Sequence, residues 1–264
     1  MTSNVLGNWN AGFIENRDDE MAAIYLDVQP DVIALQEVSK RYRTRENNLM
    51  DLVSSLYDEI IPPATNRSHV NSTPILYRKD RLLVVDRGYH FFQDGVCDNS
   101  KSITWAIFEV RSTGKRFGFA STHFIHTSEE GRVIDGNQAK LICDGLSDFY
   151  HCPVFMGGDL NANRRSEAYR NLGELGFIDL HTLAPNAPTI KSYHPYPVMD
   201  EATRLYHPDP TPAGGDYMDS IDHLLFYGSE EMRPDVKQYA LVTDDRARTA
   251  SDHYPVYVDI TLRD

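Results

Sequence analysis

Positive charge is in short supply in this chain. Twenty-six Lys and Arg stand against 39 Asp and Glu, a net charge of −13. Such a balance excludes a protein that coats nucleic acid by bulk attraction, and it confines any grip on an anionic substrate to a local basic patch or a bound cation. Cysteine is scarce as well. Cys97, Cys143 and Cys152 are odd in number and lack metal-ligand spacing, which argues against a disulfide scaffold and a thiolate metal site and predicts buried, reduced thiols. No run approaches the roughly 18 uncharged apolar residues of a membrane span. No basic stretch followed by an apolar one opens the chain, so a cytoplasmic protein is expected.

What is present is ordinary globular material: 41% hydrophobic and 25% charged over 264 residues. It is expected to form one domain spanning residues 1–264. Strand-like runs fall at 4–9, 32–35, 73–77, 82–92, 103–110, 117–122, 154–156, 221–226 and 254–262, many of them β-branched or aromatic. Helical spacing lies between them. Leu49, Leu52, Val53 and Leu56 share one face, as do Ile134, Leu141, Ile142, Leu146 and Phe149, and Tyr169, Leu172 and Leu175 make a shorter stripe. A helix over 18–26 carries acids in its first turn, where the helix dipole favours them. The segment 185–212 holds seven of the 14 prolines and reads as long surface loops.

Polar residues recur where apolar strands end. "DVIALQEV" delivers Glu37, "FGFASTHF" His123, "PVFMGGDLNAN" Asp159 and Asn161, "YMDSIDHLLF" Asp222, "VLGNWNAG" Asn10, and "SDHYPVYVDI" the adjacent pair Asp252 and His253. Singly, each has a structural explanation as a turn or cap. Together they are hard oxygen ligands and proton-transfer groups from six strands, a set suited to Mg²⁺ or Mn²⁺. Adjacent strand residues point oppositely, so Asp252 and His253 require a local bend, expected at Tyr254-Pro255.

The ordered series "NWNAG", "LQEV", "STHF", "GGDLNAN", "SIDHLLF" and "SDHYPV" resembles the endonuclease/exonuclease/phosphatase superfamily, the deoxyribonuclease I-like or exonuclease III-like fold. The resemblance implies an α/β fold, a four-layer α-β-β-α sandwich of two mixed sheets packed face to face with flanking helices. It also implies a divalent-metal site. Glu37 would be the principal Mg²⁺ ligand, with Asn10 beside it and Asp252 completing the set. His253, oriented by Asp222, would contact the scissile phosphate or move a proton. Asp159 and Asn161 would position or deprotonate the attacking water, leaving the general base to either His253 or Asp159. His123 would donate to a phosphoryl oxygen or assist the leaving group.

The basic run "SKRYRTR" after Glu37, with Arg41 and Arg43, together with Arg164, is expected to grip a phosphate backbone, and Tyr193 to stack on a base. The expected activity is therefore a Mg²⁺-dependent phosphodiesterase acting on nucleic acid. A hydrolase of a small or lipid phosphoester is the alternative, and a non-catalytic binding module of the same fold stands behind both. Departures from the better-known branches, such as His223 after the "SID" triplet, leave the branch open.

Overall fold

Two six-stranded mixed sheets lie face to face in the computed structural model, which describes residues 1–7, 16–39, 43–44, 46–61, 73–96 and 101–263. The first sheet has the order β13 (Asp235–Leu241), β14 (Val256–Thr261), β1 (Thr2–Asn4), β2 (Val32–Gln36), β4 (Ile75–Arg78), β3 (Tyr57–Ile60). The second runs β5 (Leu82–Phe91), β6 (Ser102–Val110), β7 (Arg116–His123), β8 (Val154–Asp159), β12 (Asp222–Tyr227), β9 (Ile178–Asp179). Each contains a single parallel pair among the described residues, β1 with β2 and β7 with β8.

Between the sheets sits a core rich in aromatic rings. Phe108, Phe117, Phe155 and Phe226 from the second sheet meet Ala34, Ile75, Tyr239 and Val256 from the first. Helices cover the outer faces. Helices α1 (Arg17–Val28), α2 (Leu49–Val53) and α5 (Asp245–Ala250) pack on the first sheet, and α3 (Glu129–Tyr150) and α4 (Glu167–Glu174) on the second. The expected α-β-β-α layering is therefore observed. Cys143 and Cys152 are buried and unbridged, and Cys97 lies outside the described residues. No described helix is long and apolar enough to cross a membrane.

Some local expectations are corrected. The stripe assigned to α3 is only partly its buried face: Leu146 is buried, but Leu141 and Phe149 are 71% and 76% exposed. The face that packs is Gly131, Asp135, Gly136, Ala139, Cys143, Leu146 and Ser147. Small side chains let this helix sit close to α4, and a methyl added at Gly136 would lie 3.3 Å from Leu172 Cδ2. Strands β3 and β13 carry polar residues such as Asp58, Glu59, Lys237 and Gln238, and their apolar alternation is too weak to read. Both are edge strands, where charge blocks pairing with another chain. The proline-rich segment is mostly loop but contains a short hairpin of β10 (Val198–Met199) and β11 (Tyr206–His207).

The sheets come into close contact at Gly157. A Cβ on Gly157 of β8 would meet Ala34 Cβ at 3.1 Å and Thr2 Cβ at 3.2 Å across the gap. Beside it, Ser121 donates from β7 to the Leu35 carbonyl of β2 at 2.9 Å. Gly158 faces the other way, and a methyl there would lie 2.4 Å from the Thr122 carbonyl oxygen. The glycine pair thus belongs inside a strand, set by close backbone approach rather than by a turn. Gly158→Ala should cost about 1–3 kcal/mol of stability, the usual range for overpacking; an unchanged urea midpoint would show that β7 and β8 can part there.

Helix α3 also braces the loop after β7, because Asp135 accepts the Ile125 N–H at 2.9 Å. Burial lifts this carboxyl from 3.8 to about 7, against the pull of the Ile125 N–H and with the help of Asp94. The folded protein therefore keeps a proton that the unfolded chain has already released. This contribution to stability is full below about pH 4 and is lost as pH rises to about 7. Asp135→Asn retains an acceptor and does not titrate, so its stability relative to the parent should climb across that window. Parallel stability–pH curves for the two proteins would refute this.

Candidate active site

Three adjacent strands of the second sheet set three functional side chains in one row. His123 ends β7 opposite Asp159, which ends β8, and Asp159 in turn pairs with Asp222 at the start of β12. Residues in register across neighbouring strands share a face and stand about 4.8 Å apart. The row therefore points as a unit toward the first sheet, where β1 ends at Asn4 and β2 leads into Glu37.

Asn4 joins the two sheets. Its Nδ2 donates to Asp159 Oδ2 at 3.0 Å and to Glu37 Oε1 at 3.2 Å. The sequence placed this role at Asn10, which lies outside the described residues. Strand β1 ends at Asn4, five residues before the expected end at residue 9, and the chain turns at Leu6 (φ 50°), held by the Leu6 N–H on Asn4 Oδ1 at 2.9 Å. Glu37 follows β2 with a left-handed backbone (φ 63°), a conformation costly for a non-glycine residue and enriched at functional sites. Its Oε2 is buried and has no hydrogen-bond partner among the described residues.

The opposite wall is built from the segment after α5. Ser251 Oγ donates to the Asn4 carbonyl at 2.7 Å, and the His253 N–H donates to Ser251 Oγ at 3.2 Å. The bend falls at Asp252 itself rather than at Tyr254-Pro255, so Asp252 and His253 both line the cavity. His253 Nδ1 lies 2.8 Å from Asp222 Oδ2. That same oxygen accepts the Ser192 hydroxyl at 2.6 Å, while Ser192 Oγ accepts the backbone N–H groups of Ile221 and Asp222.

Residues 192–194 run beside 252–254 like an added strand. The His194 N–H donates to the Asp252 carbonyl and the Tyr254 N–H to the Ser192 carbonyl, both at 2.8 Å, with Tyr193 bridged to His253. The cavity so enclosed measures about 600 Å³. Glu37, Lys101, His123 and Asp159 line one side, with Tyr193, Tyr196 and Asp252 on the other.

Electrostatics separates the two imidazoles. Burial disfavours charge on His253, but Asp222, Asp252 and Asp159 outweigh it and hold the ring well above the ordinary histidine range. His123 is driven far below that range by burial, then by Lys101, His253 and His126, and is neutral. The Asp159 carboxyl is pushed above the usual carboxylate range by burial and by Asp222, against the pull of His253 and Lys101. Its Oδ1 accepts the Asn161 N–H at 2.9 Å, and Asn161 Nδ2 donates to the Phe124 carbonyl at 3.0 Å, tying the β8 exit to the β7 exit.

Two described members of the expected basic grip are held by carboxylates. Arg43 is held by Glu59 through two bonds of 2.8 and 2.6 Å. Arg164 lies beyond the outer face of β12, where it donates to Asp179 at 2.8 Å and stacks on Tyr217. Both guanidiniums already have carboxylate partners, and Arg41 lies outside the described residues. Tyr193 does reach the cavity, with Lys191 Nζ 3.8 Å over its ring. Sequence reasoning missed Asn4, Lys101 and Ser192. Asn4 alone had a readable signal, as a polar residue closing a short β-rich run.

The endonuclease/exonuclease/phosphatase family pattern matches residues 1–253. The chain belongs to the endonuclease/exonuclease/phosphatase family. No curated protein matches it significantly. Among solved structures it is similar to an endonuclease/exonuclease/phosphatase from Bacteroides vulgatus, with TM-score 0.77, 23% identity and coverage of 99% and 97% of the two chains. It is similar to a mannosyl-6-phosphatase of Bacteroides thetaiotaomicron, with TM-score 0.77, 18% identity and coverage of 99% and 98%. TDP2 of D. rerio, complexed with a single-strand DNA product, follows with TM-score 0.70, 16% identity and coverage of 98% and 97%. Members of this family are metal-dependent hydrolases acting on phosphoesters.

The Asp222–His253 pair yields a test. Asp222→Asn should lower turnover of any phosphoester on the order of 10², as loss of a tuned donor does, while leaving the thermal midpoint nearly unchanged. A collapse of the midpoint instead would make Asp222 a structural residue.

Proposed function

We propose that this chain hydrolyses a phosphoester by attack of water, using a divalent cation, and that the substrate is a small or end-presented phosphoester. The observation that carries the reading is the convergence of Glu37, Asp159, Asp252 and the Asp222–His253 pair on one cavity.

The donor set fits a hard cation. Ligand atoms of Glu37, Asp159 and His123 lie within 4.8 Å of one another, and the orphaned Oε2 of Glu37 is an acceptor awaiting a positive partner. Glu37 and Asp252 would hold Mg²⁺ or Mn²⁺, leaving Asp159 to the attacking water. When bound, the cation would polarise the phosphoryl oxygens and acidify water beside them. The protein's own residues supply the rest. Burial notwithstanding, its carboxylate neighbours favour the charged form of His253, which suits it as a donor to the phosphoryl group. Asp159, made more basic by its burial, is the acceptor for the proton of the attacking water. Asp222 fixes the His253 ring through Nδ1 and leaves Nε2 for the substrate.

The size class follows from what surrounds the site. Arg43 and Arg164 are committed to carboxylates, the net charge is −13, and residues 191–196 wall one side of the cavity. A long polyanion gains little from such a rim. A nuclease remains the second reading, favoured by Tyr196, which is 60% exposed at the cavity mouth and presents a face for base stacking. The single-strand DNA product of the D. rerio TDP2 structure is in keeping with it.

Two measurements test these statements together. Glu37→Ala and chelation by EDTA should each abolish turnover; activity surviving both would end the metal-hydrolase reading. On a panel of sugar phosphates, bis(p-nitrophenyl) phosphate and oligonucleotides, kcat/KM for the best substrate should be nearly insensitive to salt. A rate that falls steeply with salt and a preference for oligonucleotides would reinstate the nuclease, because released counterions mark a polyanion.

A further inference from the structure

Lys191 leads into the segment that walls the cavity, and its backbone is fixed on both sides. Ile190 before it is bridged to Asp216, and the Ser192 hydroxyl after it donates to Asp222. The half-buried side chain lines the cavity, with Nζ 3.8 Å over the Tyr193 ring. Its stem lies against Gly215. A Cβ there would stand 2.9 Å from Lys191 Cδ, and the left-handed φ of 96° favours glycine in its own right. The loop that carries Gly215 thus leaves room for this side chain.

The arginines nearby are committed. Arg165 pairs with Asp216 and Asp219, and Arg164 with Asp179. Lys191 differs, because among the described residues its ammonium has the Tyr193 ring for a partner and no carboxylate within ion-pair distance. A ring face attracts a cation but carries no net charge to neutralise it. In a chain of net charge −13, an ammonium held in this way at the cavity wall is a binding group for an anion.

Tyr193 relates this cation to the reacting centre. It is bridged to His253, and the centroids of the two rings are 6.4 Å apart. One tyrosine ring therefore separates the Lys191 ammonium from the imidazole assigned to the phosphoryl group. A molecule a few bonds long would span both.

We propose that Lys191, seated on Tyr193, recognises a second anionic group of the substrate, an oxyanion carried a few bonds from the scissile phosphoryl group. The assignment rests on the phosphoester-hydrolase reading above and narrows its substrates to small molecules with two anionic groups. A lysine suits the task, being a compact charge with three rotatable donors that adapt to the angle of the oxyanion.

The test uses phosphonates, whose carbon–phosphorus bonds water does not cleave. Alkylphosphonates are compared with ω-carboxyalkylphosphonates and α,ω-bisphosphonates of three to six carbons, by calorimetry with Mg²⁺ present. The readout is how much tighter the best two-headed ligand binds than the one-headed ligand of equal length. In the parent protein this advantage should be on the order of 10-fold, as a charge-assisted hydrogen bond gives. In Lys191→Gln it should vanish but for the statistical factor of two equal ends, and Lys191→Arg should keep most of it. An advantage shared by the carboxylates assigns the subsite to oxyanions at large, and one confined to the bisphosphonates assigns it to phosphate; both support the contact. An advantage absent from the parent, or surviving Lys191→Gln, overturns it. Should Lys191→Gln fail to fold, Lys191→Arg decides: an advantage kept supports the contact, and one lost in a folded protein counts against it. The two levels fail differently. A parent that binds phosphonates but turns over no phosphoester defeats the hydrolase reading, while an active parent that binds both kinds of ligand equally defeats only the subsite.

Discussion

The site exists because two sheets are allowed to touch at one edge. Elsewhere the gap between them is filled by phenylalanine rings, but at Gly157 there is no side chain, and Ala34 and Thr2 close in from the facing sheet. That contact lets Asn4 reach both Asp159 and Glu37 with one amide. Without it, the His123–Asp159–Asp222 row would face a hydrophobic interior instead of a set of oxygen ligands. Ser121 on the Leu35 carbonyl and Ser251 on the Asn4 carbonyl hold the same edge. Hydrogen bonds replace apolar packing there, as buried polar groups require.

The second constraint is charge. Glu37, Asp159, Asp222 and Asp252 crowd one small volume, and an uncompensated cluster of that kind would repel itself. Two features moderate it within the chain: a charged His253 and the Lys101 ammonium. Among the described residues, the second carboxylate oxygen of Glu37 has no hydrogen-bond partner. An acidic protein can therefore take an anionic substrate without a basic surface, because the positive charge that matters is concentrated inside.

Strand ends were the legible part of the sequence, and there is a physical reason. An apolar run followed by an acid or imidazole is a strand leaving the core, so Glu37, His123, Asp159, Asp222 and His253 were all identifiable. Their mutual register could not be read, because it depends on long-range pairing. Asn4 closes the short opening run, and its reach to Asp159 and Glu37 depends on the same long-range pairing. Helix α3 misled because its packed face is made of small and polar residues, while the large apolar ones, Leu141 and Phe149, point outward. Arg43 and Arg164 looked like a basic rim because a sequence does not reveal that Glu59 and Asp179 hold them. Lys101 and Ser192 carried no local signal at all.

The splice of residues 192–194 onto 252–254 has a consequence for how this scaffold can diversify. The segment that walls the cavity is also the one whose Ser192 orients Asp222. Recognition and chemistry are thus mechanically fused at this seam. Exchanging the whole loop for a relative's would disturb the Asp222–His253 pair along with the cavity wall. Variation confined to the outward-facing positions beyond His194, such as Tyr196, leaves the seam intact. That is where a library aimed at new substrates should be concentrated.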